Sequence, residues 1–262
     1  MDPAGAVECT EFPLSSAQRR LWFQYRLEGP SATYNIPIVT RIRDRVDADA
    51  LLTAVRDVVD RHEILRTVYV EVAGEPMQRV LPASGVSVDV AQVVVPADEV
   101  DAAVLETCRW TFDLATELPL RVRLFTIAER EHLLVWNLHH IAGDGGSLGP
   151  LAHDLAQAYT ARTAGHAPDW QPLPVQYADY ALWEQELLGA EDDPDSEVSR
   201  QLDYWRTTLA GLPEEMPLPT DHPRPAQATY RAGRVDLTID PDTHHALRTL
   251  ARTNDATLFM VI

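Results

Sequence analysis

Apolar residues recur along this chain with two different periods, and each period predicts a different kind of element. A spacing of three to four residues predicts helices, the first of them capped by Ser15 or Ser16 and running to about residue 26. Alternating and β-branched runs predict strands, including a hairpin formed by residues 65–72 and 77–81 around a Gly-Glu-Pro turn. The further predicted helices cover 47–61, 98–110, 147–162, 176–188, 196–209 and 241–254, and the further strands 36–42, 86–95, 119–127, 132–138 and 234–239.

The segment 132–138 is almost wholly apolar, which predicts a central strand covered on both faces. Strands that alternate with helices predict an α/β fold with a mixed sheet. We predict a leader or linker at 1–12, a first lobe at 13–170 and the beginning of a second lobe at 171–262. Four prolines predict an extended segment at 216–225. Because the last six residues are an apolar run without a cap or turn, we predict that the second lobe is incomplete.

The charge balance limits the partners that this chain can have. The 22 basic residues against 40 acidic ones give a formal net charge of −18, which repels phosphate backbones and anionic lipids. We therefore predict neither nucleic-acid nor membrane binding. The chain has no signal-peptide pattern and no apolar run of about 20 residues, so we expect a cytoplasmic protein. Cys9 and Cys108 lie too far apart in sequence for a disulfide framework or a zinc site with paired cysteines.

The sharpest chemical feature is the segment 139–147, His-His-Ile-Ala-Gly-Asp-Gly-Gly-Ser, between the apolar strand and the following helix. On a helix, His140 and Asp144 would share one face and bind a metal, but the glycines make this segment a poor helix. No clear third ligand is present, so we predict no metal site. A phosphate loop is also disfavoured because no lysine follows the glycines. On spacing alone, a second interpretation stays equally open: the two histidines are structural and form their hydrogen bonds within a turn at the end of the strand.

A family resemblance adds to this reading of the residues. The pattern in 139–145 resembles the HHxxxDG signature of condensation domains of nonribosomal peptide synthetases and their acyltransferase relatives. Residues 16–23 (Ser-Ala-Gln-Arg-Arg-Leu-Trp-Phe) and 61–67 (Arg-His-Glu-Ile-Leu-Arg-Thr) resemble the first and second core motifs of that family. Residues 177–183 and 218–225 resemble later family segments. One such match is weak evidence, whereas five matches in the family's order are specific.

The resemblance implies a V-shaped pair of chloramphenicol-acetyltransferase-like lobes with the active site between them. It implies peptide-bond formation, in which an acceptor aminoacyl thioester attacks a donor acyl or peptidyl thioester. The implied partners are an upstream (donor) and a downstream (acceptor) peptidyl carrier protein and an adjacent adenylation domain. The domain itself binds no cofactor, because both substrates arrive on the phosphopantetheine of the carrier proteins.

The resemblance also assigns roles to individual residues. His140 is the expected catalytic residue, since a neutral imidazole can accept or orient the proton of an attacking amine. His139 is expected to hold the loop. Asp144 is expected to pair with Arg66 and fix the loop, rather than to act as a base. Gly145 is expected to allow close backbone approach and to present its N–H toward the reacting centre.

One departure from the family pattern is Gly146, where many members carry a bulky aromatic residue, and this puts the shape of the donor pocket in doubt. Two rival functions stay open: an inactive or recruiting condensation-like docking module, and an acyltransferase that uses coenzyme A. Epimerisation is disfavoured by the condensation-like 61–67 and 141–143 segments. The fragment alone is expected to be inactive, and the form of its histidine motif leans weakly toward a D-configured donor.

Overall fold

The structure is a computed structural model that describes residues 9–213, 219–223, 233 and 235–262. It divides the chain into two compact units, residues 1–214 and 215–262, each described here by itself. Most of the predicted leader, half of the predicted extended segment 216–225 and Arg234 lie outside the described residues. The division into two lobes at residues 170 and 171 stays a prediction, and that position falls inside the first unit.

A four-stranded mixed sheet forms the centre of the first unit, with the strand order β2-β7-β6-β5. Strand β7 pairs antiparallel with β2 and β6, and β5 pairs parallel with β6. All residues from 132 to 139 of β7 are buried, which confirms the prediction of a central strand covered on both faces. The strands of this sheet are β2 (Asn35–Ile42), β5 (Val90–Val94), β6 (Leu120–Ala128) and β7 (Glu131–His139).

A second sheet has three strands in the order β1-β4-β3. Its strands are β1 (Thr10–Pro13), β3 (Thr67–Val72) and β4 (Glu75–Val80), and all the pairings are antiparallel. Strands β3 and β4 form the predicted hairpin, with the left-handed conformation of Ala73 and Gly74 making the turn. Residues 10–12 of the predicted leader belong to β1.

Helices pack against the sheets and enclose one main hydrophobic core. Helix α1 begins after Ser15, which forms a capping box with Gln18 and so satisfies two N-terminal backbone N–H groups. The apolar stripe of α2 is fully buried at Val55, Val58 and Val59, as its spacing predicts. The helices of the first unit are α1 (Ser16–Glu28), α2 (Ala48–Arg61), α3 (Val100–Cys108), α4 (Leu148–Thr163), α5 (Tyr177–Leu188) and α6 (Glu197–Thr208).

The second unit contains the helices α7 (Pro241–Thr253) and α8 (Leu258–Val261). Asp240 caps α7 and Pro241 occupies its first turn, as the sequence predicts. Of the predicted strand at 234–239, the described residues 235–239 have no regular secondary structure. No helix in the described part of the chain has the length and apolarity that crossing a bilayer requires.

Candidate functional site

His140 lies at the point where the central strand ends and its side chain is exposed. Its backbone is nevertheless fixed, because its N–H donates to the carbonyl of Tyr34 at 2.8 Å. The residue opens a short 3₁₀ turn, His140–Ala142, that follows β7 directly. The buried strand therefore holds the backbone of His140 in place at the end of the central strand.

This imidazole lines a cavity of about 810 Å³. The walls come from the N-terminal half of α1, the turn after α2, the turn after β7, and the starts of α4 and α5. Polar groups in the wall include Gln18, His62 and Tyr177. The cavity combines apolar walls with a few polar groups, as small-molecule and cofactor sites do. The remaining lining residues are Ala17, Arg20, Leu21, Gln24, Tyr34, Ile64, Leu65, Leu138, Ile141, Ala142, Gly143, Asp144, Ser147, Pro150 and Leu151.

His139 faces away from this cavity, as expected for the neighbour of His140 at the end of a strand. Its side chain is 4% exposed and meets the ring of Phe112 edge-on, with 6.3 Å between the ring centroids. Its Nδ1 accepts the N–H of Ile141 at 3.1 Å, so this nitrogen carries no proton. Burial, with the neighbouring His140, lowers the pKa of His139 to about 4. The geometry thus agrees with a loop-holding role for His139.

The predicted pair between Asp144 and Arg66 is wrong in this structure. The carboxylate of Asp144 accepts hydrogen bonds from the N–H and the hydroxyl of Ser147, at 3.0 and 2.8 Å. These bonds hold the pKa of Asp144 below its usual value. The guanidinium of Arg66 instead contacts the carboxylate of Glu63 and the carbonyl of Leu81. Arg66 turns toward β4, whereas Asp144 closes a local capping box, so the two side chains have different partners.

A different arginine of the second motif ties this motif to the helix after the site. Arg61 and His62 both contact the buried carboxylate of Asp154 in α4, at 2.9 and 2.8 Å. The guanidinium of Arg61 also lies over the ring of Trp170, 4.8 Å from its centroid. Since Asp154 is only 8% exposed, this cluster is a buried ionic link between the end of α2 and α4. The sequence contained both partners, but no local pattern indicated that they meet.

The glycines of the turn differ in how much space their neighbours leave for a side chain. A Cβ on Gly143 would lie 2.7 Å from Cδ2 of the buried Leu138, so a side chain at this position would displace Leu138 or the turn. A Cβ on Gly145 would meet no protein atom within 4 Å. A Cβ on Gly146 would lie 3.3 Å from Oδ1 of Asp144. The expected role of Gly145 toward a substrate stays a prediction, while the glycine with the tightest surroundings in this turn is Gly143.

Comparison with known proteins supplies the family. The family model for the condensation domain matches residues 8–262. A probable non-canonical nonribosomal peptide synthetase, CymA, from Salinispora arenicola (strain CNS-205) is 52% identical over 95% of this chain and 3% of its own length. An isonitrile lipopeptide synthase from Mycobacterium tuberculosis (strain ATCC 25618 / H37Rv) is 48% identical over 95% of this chain and 10% of its own length. A dimodular nonribosomal peptide synthase from Bacillus subtilis (strain 168) is 46% identical over 96% of this chain and 11% of its own length.

The chain thus spans only about a tenth or less of the length of these curated relatives. Among solved structures, the X-domain from teicoplanin biosynthesis is 39% identical, with a TM-score of 0.83 over 97% of this chain and 56% of that chain. The first condensation domain of the CDA synthetase is 19% identical and has a TM-score of 0.69 over 95% of this chain and 59% of that chain. This likeness supports the fold alone. These likenesses confirm the predicted α/β fold with a mixed sheet flanked by helices. By sequence and by fold, this chain belongs to the condensation-domain family.

Proposed function

We propose that this chain forms a peptide bond in nonribosomal peptide biosynthesis. A donor acyl or peptidyl thioester and an acceptor aminoacyl thioester, each on the phosphopantetheine of a carrier protein, are the proposed substrates. The amine nitrogen of the acceptor attacks the thioester carbonyl of the donor, a C–N bond forms and the C–S bond breaks. The thiol of the donor carrier leaves with the proton that the amine gives up.

The observation that carries this proposal is the placement of His140. Its imidazole lines a cavity of about 810 Å³, while its backbone N–H is held by Tyr34 and its neighbour His139 is buried behind it. A neutral imidazole in that position can accept the proton of the attacking amine or orient the amine by a hydrogen bond. Positioning of this kind lowers the entropic part of the barrier when two tethered substrates meet.

Tyr177 in the cavity wall can hydrogen-bond the amides and carbonyls of the substrates, and burial raises the pKa of its hydroxyl so that it stays protonated. Asp144 is occupied by Ser147 and is proposed to hold the turn rather than to take a proton. The N–H of Gly145 is proposed to face the developing oxyanion. No cofactor resident in the domain enters this scheme.

The proposed partners follow from the relatives, which are large synthetases of which this chain matches only a small part. We propose that an upstream and a downstream carrier protein present the two thioesters and that an adenylation domain lies next to this domain.

A second candidate function is recruitment of a partner protein. The observation that favours it is the likeness to the X-domain of teicoplanin biosynthesis, which has been solved in complex with OxyB and which is 37% identical over 97% of this chain in that structure. Under this alternative the cavity around His140 would carry out no acyl transfer. The complete His-His-x-x-x-Asp-Gly pattern of residues 139–145 favours condensation over recruitment.

Reconstitution tests the proposal. The full-length protein that contains this chain is mixed with donor and acceptor aminoacyl groups loaded on its two neighbouring carrier proteins. Mass spectrometry then follows the dipeptidyl thioester on the acceptor carrier, with donors of both configurations. We expect product that depends on both loaded carriers. Product formed equally well from donors on free coenzyme A would favour a coenzyme A-dependent acyltransferase. The absence of product, with loading verified, would contradict the proposal and favour recruitment.

A further inference from the structure

A chain of three buried hydrogen bonds leads from the start of α1 to the turn that carries His140. The N–H of Ser15 donates to Oε1 of Gln18 at 3.0 Å. The Nε2 of Gln18 donates to the hydroxyl of Tyr69 at 3.3 Å, and that hydroxyl donates to the carbonyl of Ile141 at 3.2 Å. Gln18 is 1% exposed and Tyr69 is fully buried, so water does not replace these partners. The last acceptor belongs to the residue directly after His140.

The direction of each hydrogen bond in this series is determined by the first donor, the backbone N–H of Ser15. A backbone N–H can only donate, so the amide of Gln18 must turn its oxygen toward Ser15 and its nitrogen toward Tyr69. The amide nitrogen is also only a donor, so the oxygen of Tyr69 accepts from it. The single hydroxyl proton of Tyr69 is then left for the carbonyl of Ile141. The capping box of α1 thus sets the orientation of a hydroxyl at the candidate site.

The turn after β7 is held through its backbone by three different elements. The N–H of His140 donates to the carbonyl of Tyr34, and the N–H of Ile141 donates to the ring of His139. The carbonyl of Ile141 accepts from Tyr69. The first two contacts fix the peptide groups on both sides of His140, and the third fixes the next peptide, between Ile141 and Ala142. Tyr69 is the only one of these partners that is itself oriented by a further side chain, Gln18.

We infer that Tyr69 is a positioning residue for His140 and that Gln18 directs its hydroxyl. This inference rests on the proposed function, because it describes how the proposed catalytic imidazole is held toward the cavity. Tyr69 itself touches no cavity surface. Its hydroxyl holds the peptide between Ile141 and Ala142, the second peptide after His140, and it acts on the reaction only through His140.

The direct test is Tyr69→Phe in the full-length protein, with Tyr159→Phe as a matched control. Tyr159 also packs against the core and its hydroxyl also accepts one hydrogen bond, from the N–H of Asp47, but it does not line the cavity. For Tyr69→Phe we expect kcat for dipeptidyl thioester formation to fall by about 10- to 100-fold. The reason is that the turn loses its hydrogen bond to Tyr69, which displaces the imidazole of His140 from the reacting groups. KM for the loaded carriers should stay within about twofold of the wild-type value, since ordinary binding is unchanged. Tyr159→Phe should leave both constants unchanged.

Two further variants separate positioning from a general loss of structure. In a His140→Ala background, Tyr69→Phe should cause no further loss of the residual rate, because its effect passes through the imidazole. Gln18→Leu keeps the Tyr69 hydroxyl but frees its orientation, so we expect a smaller loss of kcat, about threefold to tenfold. Equal losses from Tyr69→Phe in both backgrounds would overturn the inference, as would a wild-type kcat for Tyr69→Phe.

Hydrogen–deuterium exchange of the peptide 139–147 gives a readout that does not depend on activity. We expect faster exchange in Tyr69→Phe and wild-type exchange in Tyr159→Phe. If the wild-type protein forms no amide, the proposed function fails and exchange decides the inference by itself. Unchanged exchange at 139–147 in Tyr69→Phe would then overturn it, and faster exchange would support it. If Tyr69→Phe does not fold, Gln18→Leu is judged by the same two criteria.

Discussion

The turn that carries His140 leaves no room for a side chain at Gly143, and this makes Gly143→Ala a sensitive probe. The added Cβ would lie 2.7 Å from Cδ2 of Leu138 and 3.5 Å from Cβ of Ser147. Carbon atoms in contact prefer about 3.5–4.0 Å, so a displacement of roughly 1 Å is required. Leu138 is only 2% exposed but also lines the cavity, so the contact is relieved by a shift of its side chain, of the turn, or of both. The backbone is extended at this glycine, with φ of 178°, so the effect is one of contact and not of backbone strain.

The expected magnitudes follow from this displacement. Overpacking of a well-packed position costs about 1–3 kcal/mol of the free energy of unfolding. A displacement of about 1 Å at a reacting group lowers the rate by about 100-fold. The matched control is Gly145→Ala, two residues further along the same turn, where a Cβ meets no protein atom within 4 Å. For this control we expect a free energy of unfolding within about 0.5 kcal/mol of wild type.

The assay pairs urea unfolding with the single-turnover rate of dipeptidyl thioester formation for both variants. Gly143→Ala should lose stability and rate together, while Gly145→Ala should keep its stability. If Gly145→Ala loses rate without stability, its backbone faces the substrate, which agrees with the role predicted for it. Equal stability of the two variants would refute the claim that the packing between Leu138 and the turn sets the position of His140.

Two further predictions concern the groups behind the cavity. The pKa of about 4 for His139 lies below the ordinary value of 6.5, so the unfolded state binds more protons between these pH values. The free energy of unfolding should therefore fall by about 3 kcal/mol from this residue as the pH drops from 6.5 to 4, and His139→Asn should lack that component in urea titrations across this range. Asp154→Ala should lower the free energy of unfolding by about 3 kcal/mol, because it leaves the partly buried Arg61 and His62 without their carboxylate. The exposed pair of α6 gives the control, since Asp203→Ala should cost less than about 1 kcal/mol in the same urea assay, and similar costs for the two aspartates would contradict this reasoning.

Helices and strands that are specified by residues close together in the sequence could be predicted from it. Ser15 is a good capping residue followed three positions later by Gln18, and the structure contains that capping box. The apolar run of β7 predicts a strand buried on both faces, and it is one. The predicted strand at 234–239 shows the limit of a local pattern, since its described residues 235–239 have no regular secondary structure.

Side-chain partners far apart in sequence could not be predicted in the same way. The resemblance implied Arg66 as the partner of Asp144, but Arg66 turns toward the end of β4. Within residues 61–67, the arginine that pairs with a carboxylate of another helix is Arg61. The choice depends on how α2 packs against α4, which no spacing within residues 61–67 encodes. Tyr69 is a similar case, since nothing in the sequence indicated that its hydroxyl reaches the turn after His140. The position of His140 itself could be predicted, because its motif follows directly on the strand that holds it.

The measurement that tests the central claim most directly is the single-turnover rate of His140→Ala with both carriers loaded. Removal of a group that accepts or orients the proton in the rate-limiting step should lower this rate by about 100-fold or more. The control is His153→Ala, because His153 is exposed on α4 and does not line the cavity. The account predicts that His140→Ala loses the rate with its stability intact and that His153→Ala keeps the wild-type rate. A rate for His140→Ala within about twofold of wild type would contradict the claim that this imidazole serves amide formation.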